Sequence, residues 1–160
     1  MKDHMRYIFL GFLFLVLFLP IRVLAGSVVM NEIMFDPVGT DTALEWVEIF
    51  NSGDSAVDIS GWQLYPAGIG YLSFPAGFSL GSRQFVVVRL RASGIDSQDI
   101  LYHASVTSNM GNSAGSAALF SGEPRDENTM QSFVQWGRGG ETWEASAEKA
   151  GLWTKGDFVD

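Results

Sequence analysis

Between Glu45 and Leu64 the chain reads EWVEIFNSGDSAVDISGWQL, and no other stretch limits the possible folds as strongly. Glu45–Asn51 places Trp, Val, Ile and Phe within seven residues, a composition that suits a pleated, half-buried strand. Ser52-Gly53-Asp54-Ser55 is turn chemistry, because Gly and Asp tolerate the backbone angles of a reversal. Val57–Leu64 then reads as a return strand, so the stretch predicts one β-hairpin. Its apolar positions change phase partway: Val57 and Ile59 alternate, then Trp62 and Leu64 alternate one step out of register. Gly61 stands at the break, which predicts a β-bulge.

Short strand patterns separated by turn signals continue on both sides. Ser27–Phe35 (SVVMNEIMF) predicts a first strand, stopped by Asp36-Pro37 because proline has no amide to donate to a ladder. Tyr71–Phe74 reads as a short strand with Leu72 and Phe74 on one face. In Gln84–Leu90 (QFVVVRL) Val86, Val88 and Leu90 face one way, and Phe85, Val87 and Arg89 the other. Ala92–Met110 is weakly periodic and reads as loop with short extended pieces. Ser116–Phe120 and Ser132–Trp136 predict a strand and its partner; Glu144–Lys149, closed by Gly151, predicts a short helix. Many short strands without a long amphipathic helix predict an all-β fold, an antiparallel sandwich or barrel.

The N-terminus is different in kind. Lys2 and Arg6 precede Tyr7–Leu19, thirteen residues without a charge, followed by Pro20 and the small-residue site Val23-Leu24-Ala25. This is the layout of a secretory signal peptide, and a helix that spans a bilayer needs about 20 apolar residues. The expectation is residues 1–25 as a signal-peptide helix, 26–138 as the sandwich, and 139–160 as a C-terminal extension with the short helix. An uncleaved anchor is the alternative, and it would be the chain's one contact with a membrane. Removing residues 1–25 takes away Lys2, Arg6 and Arg22 against the single Asp3, so the net charge moves from −8 to −10. An acidic surface gains nothing from counterion release, which argues against a nucleic-acid partner. The chain has no Cys, so packing alone must hold an exported domain together.

Three segments in order, NEIMFDP at Asn31–Pro37, EWVEIFN at Glu45–Asn51 and VDISGWQL at Val57–Leu64, closely resemble the lamin-tail domain, and its bacterial, exported branch in particular. FPAGFSLGSRQFVVV at Phe74–Val88 and Asn109-Met110-Gly111-Asn112 before SAALF fit the same pattern, so the resemblance runs from Val28 to Trp136. Asn31, Glu32, Glu45, Trp46, Glu48, Asn51, Gly61 and Trp62 are its signature residues. Where the family commonly carries an Asp before the strand matched by Phe133–Trp136, this chain has Gln131-Ser132. The resemblance implies an immunoglobulin-like β-sandwich of about a hundred residues. It also implies a non-catalytic binding or scaffolding module, which outside the cytoplasm would take a protein or a surface polymer. The alternative it leaves open is a calcium-binding accessory module of, or a fragment from, a secreted hydrolase or nuclease.

Candidate chemistry is sparse, and neither a catalytic set nor a cofactor motif emerges. Glu32, Asp36, Asp41, Glu45 and Glu48 are five carboxylates within seventeen residues. Ca²⁺ takes several oxygen ligands, so Glu32, Asp36 and Asp41 are the metal candidates if the first strand lies beside the second. The competing reading makes Glu45 and Glu48 sheet-face or edge charges that satisfy backbone donors and block edge pairing. Gly111-Asn112-Ser113-Ala114-Gly115 spells G-x-S-x-G, but a nucleophile elbow needs a following helix and a later His. Here SAALF follows and His103 comes before, so the string reads as a turn. His103 alone does not make a zinc site. Among the tryptophans, Trp62 is expected between the sheets, Trp46 and Phe50 on a partly buried face with Glu48, and Trp143 and Trp153 as clamps on the helix. Exposed tryptophans would instead mark a surface for sugar rings.

Overall fold

The computed structural model describes residues 27–160; the signal-peptide segment lies outside the described residues. Ten strands and one helix follow in order: β1 (Val28–Met34), β2 (Trp46–Asn51), β3 (Val57–Asp58), β4 (Gln63–Pro66), β5 (Leu72–Ser73), β6 (Ser79–Leu80), β7 (Phe85–Leu90), β8 (Ile100–His103), β9 (Gly115–Phe120), β10 (Met130–Trp136) and α1 (Glu144–Lys149). One sheet has the order β1-β2-β7-β8, the second β10-β9-β4-β5, and β3 pairs with β6 in a short ribbon. This is the all-β, immunoglobulin-like two-layer architecture that the strand pattern and the resemblance predict. Among the described residues no helix is long and apolar enough to cross a membrane.

The predicted hairpin does not form. β2 pairs with β1 and β7, whereas β4 lies in the opposite sheet beside β9 and β5. The phase change is the step between layers. Ile59 is the last inward residue of one segment, and Leu64 the first of the next. Between them Trp62 N–H donates to the Ile59 carbonyl at 3.1 Å, closing a tight turn in which Gly61 takes φ 70°. Gly61 therefore serves a sheet-to-sheet turn and not a bulge within a ladder. The register does shift elsewhere, between Met30 and Glu32 on β1 and between Met130 and Ser132 on β10. A second departure is β8, which runs parallel to β7; every other pairing of named strands is antiparallel. The residues between Leu90 and Ile100 carry the chain back so that β8 can start beside Val87.

Inward residues of both sheets meet in one core that includes Val47, Ile49, Val86, Val88, Leu64, Leu119 and Trp136. Trp62 is not enclosed there; it is half-buried at the margin. The enclosed tryptophan is Trp136, 1% exposed, stacked on Phe35 with ring centroids 4.7 Å apart. Its Nε1–H donates to the Gly111 carbonyl at 2.7 Å. Gly115 pairs with it across the ladder, and a Cβ at Gly115 would lie 2.6 Å from the indole. A second cluster sits on the outward side of the β9–β10 pair, where Ala118, Phe120, Met130 and Phe133 pack with Ala147 of α1. Trp143 meets Phe120 edge-on at 5.0 Å and Trp153 meets Phe133 at 5.4 Å, so the two tryptophans do clamp the helix.

Trp136→Ala is expected to cost about 3–5 kcal/mol by urea denaturation. Gly115→Ala is expected to cost about 1–3 kcal/mol because the ring must move. In the Trp136→Ala background the Gly115→Ala cost should largely vanish; strict additivity would mean that the two do not share the site.

Candidate functional site

At one end of the sandwich, the β1–β2 connection meets the segment between β8 and β9. Asn112 Nδ2 donates to Asp36 Oδ1 at 2.8 Å and lies 3.5 Å from Asp41 Oδ1. Asn109 Nδ2 donates to Asp41 Oδ2 at 3.0 Å, and Arg91 donates to Asn109 Oδ1. Beneath them Glu45, 1% exposed, accepts the Met110 N–H on both carboxylate oxygens, at 2.9 and 3.1 Å. Burial pushes its carboxyl up to about 7; the Met110 hydrogen bond lowers it, the charge of Asp41 adds to the rise and Arg91 opposes it. Glu45 thus satisfies a backbone donor, as the competing reading expects, but does so as a buried clasp on the far loop and not as an edge charge.

The three metal candidates do not converge. Asp36 and Asp41 share Asn112, but Glu32 lies on β1 with Glu48 as its cross-strand partner. Among the described residues no group of three His, Asp or Glu side chains is gathered at metal-binding range. The other signature residues have structural work. Asn51, fully buried, donates through Nδ2 to the carbonyls of Ser55, Leu80 and Gly81 and accepts the Gly53 N–H, which ties β2 to the β3–β6 ribbon. Asn31 Nδ2 donates to Glu48 Oε1 at 2.7 Å. Ser113 is exposed in its loop, while His103 lines a small apolar space with Leu64, Leu72, Phe74, Val88 and Leu101. Desolvation holds the His103 imidazole below its ordinary value, only partly offset by Asp96. Among the described residues no hydrogen bond joins Ser113 to His103 or to a carboxylate.

The two outward faces are unlike. Helix α1 and Trp143, Leu152 and Trp153 cover the β9–β10 side. The helix is held by Glu144, whose carboxylate accepts Gln135 Nε2–H and the Gly156 N–H, each at 2.7 Å; these bonds, the Gln135 one foremost, hold its carboxyl below the usual range. Among the described residues no helix covers the outward face of β1-β2-β7-β8 in the same way. Register places Val29, Phe50 and Phe85 in one row, Glu32, Glu48, Val87 and Ile100 in the next, and Met34, Trp46, Arg89 and Tyr102 in the third. Phe50 and Phe85 stack with centroids 4.3 Å apart, and Phe85 is 42% exposed. Arg89 is turned away to the loop, donating to the Ala43 carbonyl at 3.2 Å. Sequence alternation had marked Trp46, Glu48 and Phe50 as one face; the aromatic partner Phe85 was visible only as the outward half of QFVVVRL.

A model of the lamin tail domain family matches residues 24–152 of the chain. No curated protein matches it.

Protonation of Glu45 has a defined consequence for stability. A carboxyl raised from 4.5 to about 7 stabilises the fold in its neutral form. That contribution is complete below pH 4.5 and is lost as pH rises through about 7. Over this window the wild type should lose up to about 3 kcal/mol. Glu45→Gln keeps an oxygen for the Met110 N–H, so its stability profile should be flatter and should overtake the wild type at alkaline pH. Parallel denaturation profiles from acid to alkaline buffer would contradict the assignment.

Proposed function

The chain belongs to the lamin tail domain family, and on that premise we propose that it is a non-catalytic binding or scaffolding module of the cell exterior. It docks an extracytoplasmic protein or surface polymer on the outward face of the β1-β2-β7-β8 sheet. One observation carries this reading: among the described residues a helix and two tryptophans cover the β9–β10 side of one sheet, and a stacked Phe50–Phe85 pair and Trp46 on the other have no equivalent cover. A cluster of half-buried aromatic side chains with Phe85 42% exposed among them marks an interaction surface. The export reading rests on Lys2, Arg6, the apolar run Tyr7–Leu19 and the Val23-Leu24-Ala25 site. The acidic balance of the chain disfavours nucleic acid as the partner. Calcium has less support than a macromolecule, because amide donors already occupy Asp36 and Asp41.

The test is site-specific photo-crosslinking in cells that make the protein. Benzoylphenylalanine at Phe85 should yield a discrete adduct outside the cytoplasm, and the same group at Ala145 on the exposed side of α1 should not. Equal yields from both positions, or adducts from neither, would count against the face. A chain that keeps Met1 in the cytosolic fraction would count against export.

A further inference from the structure

We infer that the open sheet face takes a cationic protein segment, with a lysine or arginine side chain seated over Glu32 and Glu48 between Trp46 and the Phe50–Phe85 stack. This deepens the proposal of a docking face and rests on it. Glu32 and Glu48 are direct cross-strand partners on β1 and β2. Like charges placed opposite each other weaken a sheet, so the pair is a cost to the free protein that a cation would remove. Neither carboxylate belongs to an ion pair among the described residues, where the pairs are Arg83–Asp54, Arg125–Glu123 and Arg138–Glu141. Asn31 satisfies one oxygen of Glu48 and leaves the charge uncompensated.

The surroundings suit the same occupant. On β2, Trp46 and Phe50 lie two residues to either side of Glu48, so each is about 7 Å away along the same face. The apolar stem of a lysine or arginine above the carboxylates would lie between aromatic side chains on both flanks. Apolar neighbours of that cation would rest on Phe50–Phe85 and on Val87 and Ile100. The positive group that register places in the adjoining row, Arg89, donates to the Ala43 carbonyl and forms no ion pair with either carboxylate. A neutral glycan would use the aromatic rings but would leave the carboxylate pair unrelieved.

The experiment follows backbone amide shifts of isotopically labelled protein during titration with acetyl-Leu-Lys-Leu-amide. Acetyl-Leu-Gln-Leu-amide, acetyl-Leu-Glu-Leu-amide and chitotetraose serve as comparators. The lysine peptide should move the amides of Glu32, Glu48, Phe50 and Phe85, bind about tenfold more tightly than the glutamine peptide, and weaken as salt is added. The Glu32→Gln/Glu48→Gln variant should lose that preference while its melting temperature stays level or rises; a fall would assign the pair a structural role and overturn the inference. Equal binding of the three peptides, or binding of the oligosaccharide alone, would overturn the cationic occupant and leave the docking face standing. Shifts confined to the Asp36–Asn112 loops, or none with any probe, would overturn both.

Discussion

Each residue of Gly115–Phe120 is buried, although only alternate ones can point between the sheets. Ala117 and Leu119 face the sandwich interior, while Ala118 and Phe120 face α1 and Trp143. A strand enclosed on both sides needs two covers, and the chain supplies the second from residues beyond Trp136. This one requirement organises the molecule. It explains why Glu144 is tied to Gln135, and why Val159 bridges back to Trp136. It also explains the asymmetry, since the covering material is spent on one sheet and the other keeps an open face.

Four buried polar side chains, Glu45, Asn51, Gln135 and Glu144, close gaps that packing leaves, whereas Arg89 Nε and Trp143 Nε1 are buried without a partner among the described residues. Asn51 satisfies three carbonyls and one amide where β2 meets the ribbon. Gln135 and Glu144 do the same under the helix. Buried backbone groups without partners are costly, so one well-placed side-chain amide or carboxylate replaces water at each closure. Glu45 is the tense case. It holds the Met110 amide but loses hydration as an anion, which makes this end of the sandwich sensitive to the charge state of a single carboxyl.

Much of the fold was legible in local pattern. The pattern places strands at Glu45–Asn51 and Gln84–Leu90, each one residue longer at its start than the observed strand, and sorts their residues into two faces; helix signals place Glu144–Lys149. For β9 the pattern predicts a strand at Ser116–Phe120 but not that both of its faces are enclosed. The candidate site was less legible. Alternation along β2 shows which residues share a face, but it does not say whether another element covers that face. Glu45 reads as a sheet-face or edge charge on some backbone donor, and the sequence does not say which, because Met110 is 65 residues away.

Periodicity and turn chemistry suffice for the longer strands and the all-β class, since each depends on residues a few positions apart; the short β6 and the parallel β8 escape them. Neighbourhood is another matter. The same run from Val57 to Leu64 suits a return strand in one sheet or a step into the next. Long-range burial made the choice: Leu64 enters the layer beside Leu119, and Ile59 stays with Phe78. The pairing of Glu32 with Glu48 and the open aromatic face arise the same way, from contacts between strands distant in the chain that no short window of residues encodes.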